Sequence, residues 1–313
     1  MKKVLLIGSK GFVGSNFKKH LLENNYPTDL IFEIEGKEEL DITNFDKLNN
    51  FLQKTKPEII VNTAAFVGGI AYGYKYPAEI ISKNSKMIIN IYEASRVNGI
   101  EKLITPISNC AYPGHLNIYE ESKFWDGKPH DSVFNYALTR RLIVAHGEAF
   151  YKQYKFNSIN IVMSKMYGPN DHFDEERSHA LGALIRKIYD AKVEKKKSVE
   201  IWGTGKPLRE WLFVKDAAEA ILRSFQLGSG HHFFNIGVNK GISISDLAVK
   251  IALALEWDGE FLLDETKPDG ALEKRVDGSS AESLLDWQPE TSLEVGIKET
   301  IEWYVKDRTK KLL

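Results

Sequence analysis

Two side chains that can carry protons stand out in this 313-residue chain: Cys110, which is the only cysteine, and His179. Ser108 lies two positions before the cysteine, and Tyr136 and Arg140 are spaced one helical turn apart. A thiol and an imidazole can remove and return protons near neutral pH when their pKa values are suitably placed. A serine, a tyrosine and a cation can stabilise charge on a carbonyl oxygen. These residue types and spacings predict proton transfer beside a ketone, followed by reduction of that ketone.

Each of these residues has a plainer interpretation when it is taken alone. A lone cysteine is more often a small buried apolar side chain than a reagent, and any one of the eight histidines is more often structural. Their combination with a glycine-rich loop near the N-terminus favours chemistry over packing. A second tyrosine-lysine spacing, Tyr119 with Lys123, falls too soon after Ser108 and has no long helical pattern behind it, so we set it aside.

The glycine-rich loop after the first apolar run predicts a dinucleotide cofactor. Three glycines allow a sharp turn, a close approach of pyrophosphate to the backbone, and tight packing of helix on strand. The N-terminus of the helix that follows then faces the negative charge. The candidates for cofactor binding in this loop are Gly8, Lys10, Gly11, Phe12, Val13 and Gly14.

The choice between NAD and NADP depends on the charges around the end of the second apolar run. Glu33 or Glu35 could bind the ribose hydroxyls of NAD. Lys10 and Lys37 could instead hold the 2′-phosphate of NADP. We predict NADP(H), with NAD(H) as the alternative.

Short apolar runs alternate with helical patterns through the first half of the chain. This order predicts an α/β fold with a Rossmann-type, doubly wound parallel sheet. The predicted strands cover 3–7, 30–34, 59–62, 103–107 and 157–163, and the predicted helices cover 13–24, 45–54, 79–98 and 136–154.

Beyond residue 167 the pattern becomes less regular and glycine and proline punctuate it more often. A chain of this length is expected to form two packed lobes. We therefore predict an NADP-binding Rossmann domain of residues 1–166 with a returning segment, 212–238. A smaller sugar-nucleotide-binding lobe is predicted for 167–211 and 239–313.

Composition excludes several classes of partner. The formal net charge is −1, with basic residues spread along the chain, which disfavours nucleic acid or an anionic membrane. A single cysteine allows no internal disulfide framework and fits a reducing compartment. No apolar stretch is long enough for a secretion signal or a membrane span. We expect a soluble cytoplasmic protein that binds a small molecule and no metal.

Ser108, Tyr136 and a cation at Arg140 resemble the catalytic residues of the extended short-chain dehydrogenase/reductase family, which has lysine at the last position. Motifs along nearly the whole chain narrow the resemblance to the GDP-L-fucose synthases. These motifs are Ala64-Ala65, Val67-Gly68-Gly69-Ile70, Tyr76-Pro77-Ala78, Asn84, Ser108 with Cys110 and Tyr112-Pro113, Tyr167-Gly168-Pro169-Asn170-Asp171, Ser178-His179, Trp202-Gly203-Thr204-Gly205-Lys206-Pro207-Leu208-Arg209-Glu210, and Lys267-Pro268-Asp269-Gly270.

The resemblance implies a role for each site residue. The serine would bind the substrate oxygen, the tyrosine would exchange its proton, and the cation would lower the tyrosine pKa and hold the nicotinamide ribose. Cys110 and His179 would supply the base and the acid for epimerisation at C3 and C5 of a GDP-4-keto-6-deoxy sugar, before hydride reduces C4. Ala64 and Ala65 would line the cofactor site, the helices at 79–98 and 136–154 would form a homodimer, and the substrate-binding residues would be Arg186, Trp202, Arg209 and Lys267.

Two alternatives stay open. The first is a C4-reductase that does not epimerise and acts on a GDP-4-keto-hexose or GDP-4-keto-heptose. The second is a non-catalytic NADP(H)-binding sensor, because arginine and lysine are not interchangeable at position 140. A dehydratase is disfavoured because Asn109-Cys110, rather than an acidic pair, follows the serine.

Overall fold

The computed structural model describes residues 1–68, 70–174, 178–267 and 269–312. Gly69 of the Val-Gly-Gly-Ile motif and Pro268 of the Lys-Pro-Asp-Gly motif lie outside the described residues. The strands are β1 (Val4–Ile7), β2 (Ile31–Ile34), β3 (Ile59–Asn62), β4 (Lys102–Ser108), β5 (Ile118–Tyr119), β6 (Ser158–Met163), β7 (Met166–Tyr167), β8 (Ser198–Trp202), β9 (Leu208–Arg209), β10 (Leu212–Phe213), β11 (His231–Ile236), β12 (Ile242–Ser243), β13 (Glu260–Asp264) and β14 (Glu273–Val276).

The helices lie between these strands and after them. They are α1 (Phe12–Glu23), α2 (Phe45–Thr55), α3 (Ile70–Lys75), α4 (Pro77–Val97), α5 (Phe134–Tyr154), α6 (Ala180–Val193), α7 (Val214–Arg223), α8 (Ile244–Ala254), α9 (Ser279–Leu285) and α10 (Leu293–Leu312). The four predicted helices are present, with ends that differ by one or two residues. The third of them begins at Pro77 because proline fits the first helical position, where no backbone N–H is needed.

A six-stranded sheet, ordered β2-β1-β3-β4-β6-β11, forms the centre of the fold, and every neighbouring pair in it is parallel. This order confirms the predicted Rossmann-type sheet. The chain leaves β1 towards β2 on one side and continues to β3 on the other, which opens a crevice at the carboxyl ends of β1 and β3.

Strand β1 shows how the sheet separates two cores. Its residues alternate between them, because successive side chains of a strand point to opposite faces. Leu5 and Ile7 pack with side chains of α2, α4 and α5, whereas Val4 and Leu6 pack with side chains of α1 and α7. All four side chains are almost completely buried, as expected for a parallel sheet covered on both faces.

The second half of the chain builds a third core and several small sheets. Strands β8 and β13 pair with each other, and β12, β9, β14 and β5 form a four-stranded sheet in that order. In the segment 212–238, β11 pairs with β6 at the edge of the central sheet, whereas β10 pairs with β7 outside it. Because β5 comes from the first half and pairs with β14, the two predicted domains share a sheet. The domain limits themselves stay a prediction.

Helices α4 and α5 pack against each other. Their residues Ile88, Tyr92, Ile143 and Phe150 are buried within the chain's own core, so these side chains are not available to a second subunit. Among the described residues, no helix is long and apolar enough to cross a membrane.

Gly14 is a position where only glycine fits. A Cβ atom there would lie 2.2 Å from the Gly8 carbonyl oxygen and 2.8 Å from Thr63 Oγ1. We expect Gly14→Ala to lower the free energy of unfolding by about 1–3 kcal/mol, because the helix must shift away from the strand. Gly228→Ala is the control, since nothing lies within 4 Å of a Cβ there. Urea midpoints measure both variants, and equal midpoints would contradict this packing.

Candidate active site

The loop after β1 turns towards β3 and is fixed by backbone contacts. Gly8 has φ +83°, and its amide donates a 2.7 Å hydrogen bond to the carbonyl of Ile34 at the end of β2. A Cβ on Gly8 would lie 2.9 Å from the amide nitrogen of Ala64, which follows β3. The glycine loop, the end of β2 and Ala64 therefore meet at one crevice.

This crevice suits an anionic group. Ser9 is almost fully buried, and its hydroxyl has no hydrogen-bond partner. Gly11 caps α1, whose first turn carries no acidic residue, so its free N–H groups present the positive end of the helix dipole. A Cβ on Gly11 would meet only the Gly8 carbonyl oxygen within 4 Å. An orphaned hydroxyl and an open helix N-terminus fit the pyrophosphate of a dinucleotide.

Lysines and glutamates alternate around the end of β2. Lys10 Nζ lies 3.5 Å from Glu35 Oε2, and Lys18 Nζ lies 2.7 Å from Glu33 Oε1. Lys37 lies 3.7 Å from Asp41, one turn along the chain. The side chains of Lys10 and Lys37 are mostly exposed, so they can turn towards a phosphate at little cost.

Ser108 and Cys110 lie at the carboxyl end of β4. Ser108 caps the short turn Asn109–Ala111, and its hydroxyl accepts a 3.4 Å hydrogen bond from the Cys110 amide. Arg141 of α5 fastens this turn, because its Nε donates to the Ala111 carbonyl at 2.7 Å. Cys110 is partly buried. Burial raises the pKa of the Cys110 thiol, and the Ser108 hydroxyl and the Arg140 charge oppose that rise.

Tyr136 and Arg140 stack on α5. The guanidinium carbon of Arg140 lies 4.7 Å from the centre of the Tyr136 ring. Burial raises the pKa of the Tyr136 phenol, the Arg140 charge lowers it, and Cys110 raises it slightly. The phenol therefore stays protonated near neutral pH, as a proton donor to a carbonyl oxygen must.

Arg140 is a buried cation that hydrogen-bonds to neutral groups. It is only 3% exposed, and its Nη2 donates to Asn84 Oδ1 at 3.0 Å. The same amide oxygen accepts from the Phe66 amide at 3.0 Å, and Asn84 Nδ2 donates to the Phe66 carbonyl at 2.7 Å. Asn84 thus joins Arg140 on α5 to the segment that follows Ala64 and Ala65.

His179 is the residue that caps α6. Surrounding protein atoms lower the pKa of the imidazole, and the cations Lys165 and His172 act in the same direction. The residue still has an exposed surface, so water screens part of this effect. The ring is neutral near pH 7 in this state.

A row of electrostatic interactions links Cys110 to His179. Lys165 lies within electrostatic range of His179 and of Arg209, and Arg209 is in range of Tyr119. Tyr119 in turn interacts with Cys110. We call the region along this row, from Ser108, Cys110, Tyr136 and Arg140 to His179, the cleft.

Arg209 is anchored by its neighbour Glu210. The Glu210 carboxylate is buried and accepts 2.7 Å hydrogen bonds from Ser164 Oγ and from the Val276 amide. It also accepts a 2.8 Å bond from the Asn239 amide. One carboxylate therefore ties the end of β6 to β9 and β14, which fixes the backbone that carries Arg209.

Trp202 lies beside two lysines. Lys187 Nζ and Lys267 Nζ are 5.4 Å and 5.7 Å from the centre of its ring. Arg186 of α6 lines a separate pocket of about 360 Å³, together with Phe173, Trp303 and Tyr304. Its role in substrate binding stays a prediction, and the structure offers Lys187 as a second candidate beside Trp202.

Sequence reasoning did not select four residues that shape the cleft: Asn84, Tyr119, Lys165 and Lys274. The sequence does favour Lys165 as a site residue, because it lies two positions after a predicted strand and ligands bind at the carboxyl ends of parallel strands. Tyr119 was set aside with Lys123, and these two do lie on a strand and a short turn rather than on one helix. Tyr119 reaches the cleft through the pairing of β5 with β14, which no local pattern reveals.

Comparisons with known proteins bear on the whole chain. The sequence profile of the NAD dependent epimerase/dehydratase family matches residues 4–237. GDP-L-fucose synthase 1 of Arabidopsis thaliana is 33% identical over 306 residues, which are 97% of this chain and 94% of the plant protein. GDP-L-fucose synthase of Sinorhizobium fredii (strain NBRC 101917 / NGR234) is 33% identical over 98% of this chain and 96% of that protein.

A solved structure shares the fold over nearly its full length. MlghC, the GDP-mannoheptose C4 reductase from Campylobacter jejuni with NADP bound, superposes with a TM-score of 0.86 at 26% identity. The match covers 97% of this chain and 98% of that chain.

The Arg140–Asn84 contact can be tested through stability. We expect Asn84→Leu to lower the free energy of unfolding by about 2–4 kcal/mol, because it leaves a buried cation and the Phe66 backbone groups without partners. Asn90→Leu on the same helix removes a single bond, to the Ile42 carbonyl, and should cost about 1 kcal/mol. Adding Arg140→Met to Asn84→Leu should recover part of the lost free energy of unfolding, as measured by urea unfolding. A double variant that is less stable by the sum of both single effects would contradict the coupling.

Proposed function

The chain belongs to the NAD dependent epimerase/dehydratase family and, within it, to the GDP-L-fucose synthase family, and we propose that it catalyses the NADPH-dependent 3,5-epimerisation and 4-reduction of a GDP-4-keto-6-deoxy sugar. The family makes it an NAD(P)-dependent enzyme of nucleotide-sugar biosynthesis. The observation that supports the specific reaction is the row of interactions along the cleft. It links Ser108, Cys110 and Tyr136 at one end to His179 at the other, and the cation Arg209 is part of it.

Ser108 and Tyr136 are suited to the carbonyl oxygen at C4. A partly exposed serine hydroxyl can donate a hydrogen bond to that oxygen, and the protonated phenol can give it a proton. When bound, the reduced nicotinamide supplies the hydride for C4. Gly8, Gly11 and Gly14 with Ser9 would hold the pyrophosphate, and Arg140 would hold the ribose side through its buried guanidinium.

Cys110 and His179 are suited to the carbons on either side of the ketone. Removal of a proton from C3 or C5 breaks a C–H bond and leaves charge on the C4 oxygen, where Ser108 and Tyr136 stabilise it. The thiolate of Cys110 takes the proton, and the imidazolium of His179 returns one to the opposite face of the ring. The resting cleft holds a thiol and a neutral imidazole, so substrate binding must favour the charged forms.

A C4-reductase without epimerisation is the second candidate. It is favoured by the similarity to MlghC, which is a GDP-mannoheptose C4 reductase, and by the neutral state of His179. In that case Ser108 and Tyr136 would work as above, and Cys110 and His179 would only shape the pocket.

Solvent labelling separates the two candidates. In heavy water with NADPH and GDP-4-keto-6-deoxymannose, we expect a reduced product with deuterium at C3 and C5. Cys110→Ser and His179→Asn should each slow the labelling by about 10²–10⁴-fold, because they remove the base or the acid. NADPH binding should stay unchanged, since neither residue lies in the glycine loop. Reduced wild-type product without ring deuterium would establish the C4-reductase instead.

The arginine at position 140 raises the possibility of a sensor that binds NADP(H) without turnover. The stacking of Arg140 on Tyr136 argues for retained chemistry, because the charge still lowers the phenol pKa. NADPH binding with no oxidation on any 4-keto sugar nucleotide would support the sensor. Activity that returns with Arg140→Lys would indicate an impaired enzyme.

We infer NADP(H) as the preferred cofactor, since Lys10 and Lys37 flank the end of β2 with exposed side chains. Lys10→Glu should weaken NADPH binding by about 10- to 100-fold and leave NADH binding nearly unchanged, because it removes one charge-assisted contact to the 2′-phosphate. Lys19→Glu on α1 is the matched control, as an exposed lysine paired with Glu23. Equal loss for both cofactors would contradict this assignment.

A homodimer through α4 and α5 is part of the proposal. After the buried side chains are set aside, the exposed apolar residues Ile89, Val97 and Tyr154 remain on these two helices. The lone, partly buried cysteine is also compatible with the reducing, cytoplasmic setting that we propose.

A further inference from the structure

Lys165 belongs to the row of charges that defines the cleft, and the roles above leave it unassigned. It follows β6 by two residues, and the last residue of that strand, Met163, pairs with Ser108. Lys165 therefore lies at the same carboxyl edge of the sheet as the catalytic serine. Its Nζ lies 6.0 Å from the ring centre of Trp211, which is itself buried.

Among the described residues, the charged groups that interact electrostatically with Lys165 come from three elements and are basic. These are Arg209 of β9, Lys274 of β14 and His179 before α6, which has His172 beside it. Tyr119 of β5 extends the set, because Lys274 Nζ lies 5.3 Å from its ring centre. Asp269 is within electrostatic range of Arg209, but its carboxylate accepts 2.7 Å bonds from the amide and the hydroxyl of Thr204.

The other two cations already have hydrogen-bond acceptors. Lys274 Nζ donates to the Gly114 carbonyl at 3.0 Å and to the Leu116 carbonyl, and Arg209 Nη1 donates to the Leu208 carbonyl at 2.7 Å. Among the described residues, Lys165 has only the face of Trp211. A desolvated ammonium beside two further cations is costly unless an anion joins it.

We propose that Lys165 is a positioning residue that binds the sugar-proximal phosphate of the nucleoside diphosphate-sugar and, once that phosphate neutralises it, allows His179 to take up a proton. This inference rests on the proposed function for the class of substrate. Arg209 and His179 both interact with Lys165, so its ammonium is coupled to the side chain predicted to bind the diphosphate and to the one predicted to act on the sugar.

The coupling follows from the charges. Burial, together with Arg209 and Lys274, lowers the pKa of Lys165 to about 8, and the Lys165 charge helps to lower the pKa of His179. A phosphate beside Lys165 raises the pKa of both groups, because it favours their charged forms. The pKa of His179 thereby rises towards neutrality in the bound state, so the imidazolium that epimerisation requires becomes accessible there.

The lowered pKa of Lys165 also determines how the affinity for phosphate changes with pH. Below about pH 8, Lys165 is protonated in the free protein, and phosphate binding is at full strength. Above that pH, binding must also take up a proton, so the affinity falls by up to tenfold per pH unit. The fall continues until the pH reaches the higher pKa of the bound state.

Binding of GDP-mannose, which has no 4-ketone, tests this without turnover. Calorimetry from about pH 6.5 to 9 should show wild-type affinity that is flat and then falls above pH 8. Lys165→Met should bind about 10- to 100-fold more weakly at low pH and lose the fall. Lys165→Arg should restore affinity and keep it flat, because arginine stays charged. Lys102→Met, a partly buried lysine at the other end of the sheet, should leave the wild-type pH profile unchanged.

Histidine NMR supplies the second readout. GDP-mannose should raise the pKa of His179 in the wild type and leave it nearly unchanged in Lys165→Met, with His179→Asn used for assignment. A wild-type affinity without a fall above pH 8, or a His179 shift that survives Lys165→Met, would overturn the inference. Failure of the proposed function would show differently, as absence of NADPH oxidation with 4-keto sugar nucleotides whatever GDP-mannose does.

Discussion

The contacts of the buried Arg140 guanidinium hold together the part of the site that β4 and α5 form. It stacks on Tyr136 within α5, bonds to Asn84 on α4, and through that amide fixes the backbone at Phe66 after β3. Tyr136, Arg140 and the backbone that follows β3 therefore share one network. A lysine could keep the charge, but a single ammonium could not match a planar group that stacks and hydrogen-bonds at once. The arginine is thus a structural part of the site as well as a source of charge.

The two ends of the cleft differ in electrostatic character. The end formed by β4 and α5 is desolvated and holds its thiol and phenol in their neutral forms. Towards His179 the cleft contains Lys165, Arg209 and Lys274, and burial lowers the pKa of each. Repulsion among these desolvated cations destabilises the cleft when no anion is bound, and a bound anion removes that cost. Binding energy from the diphosphate can therefore prepare the groups that act on the sugar.

The sequence was sufficient for features that depend on local pattern. Alternating apolar runs identified the central sheet, and the glycine loop identified the crevice beside β1, because both are set by neighbours along the chain. The partners of Arg140 were out of reach, since Asn84 lies on a different helix. The local sequence does not show that Lys165 interacts with other cations, because Arg209 and Lys274 lie on strands far along the chain. Charge clusters assembled from distant strands leave no periodic signal.

The pairing of β5 with β14 has a consequence for how the protein is made. Tyr119 stacks on Tyr112 at 4.9 Å, yet the strand that pairs with it includes Arg275 and Val276, which follow much later along the chain. Contacts across such a sequence separation form slowly and late. The Rossmann sheet can begin to fold on the ribosome as its strands emerge, but the cleft must wait until β14 has been translated. Until then the edge of β5 is an unpaired strand, the kind of surface that chaperones recognise in nascent chains.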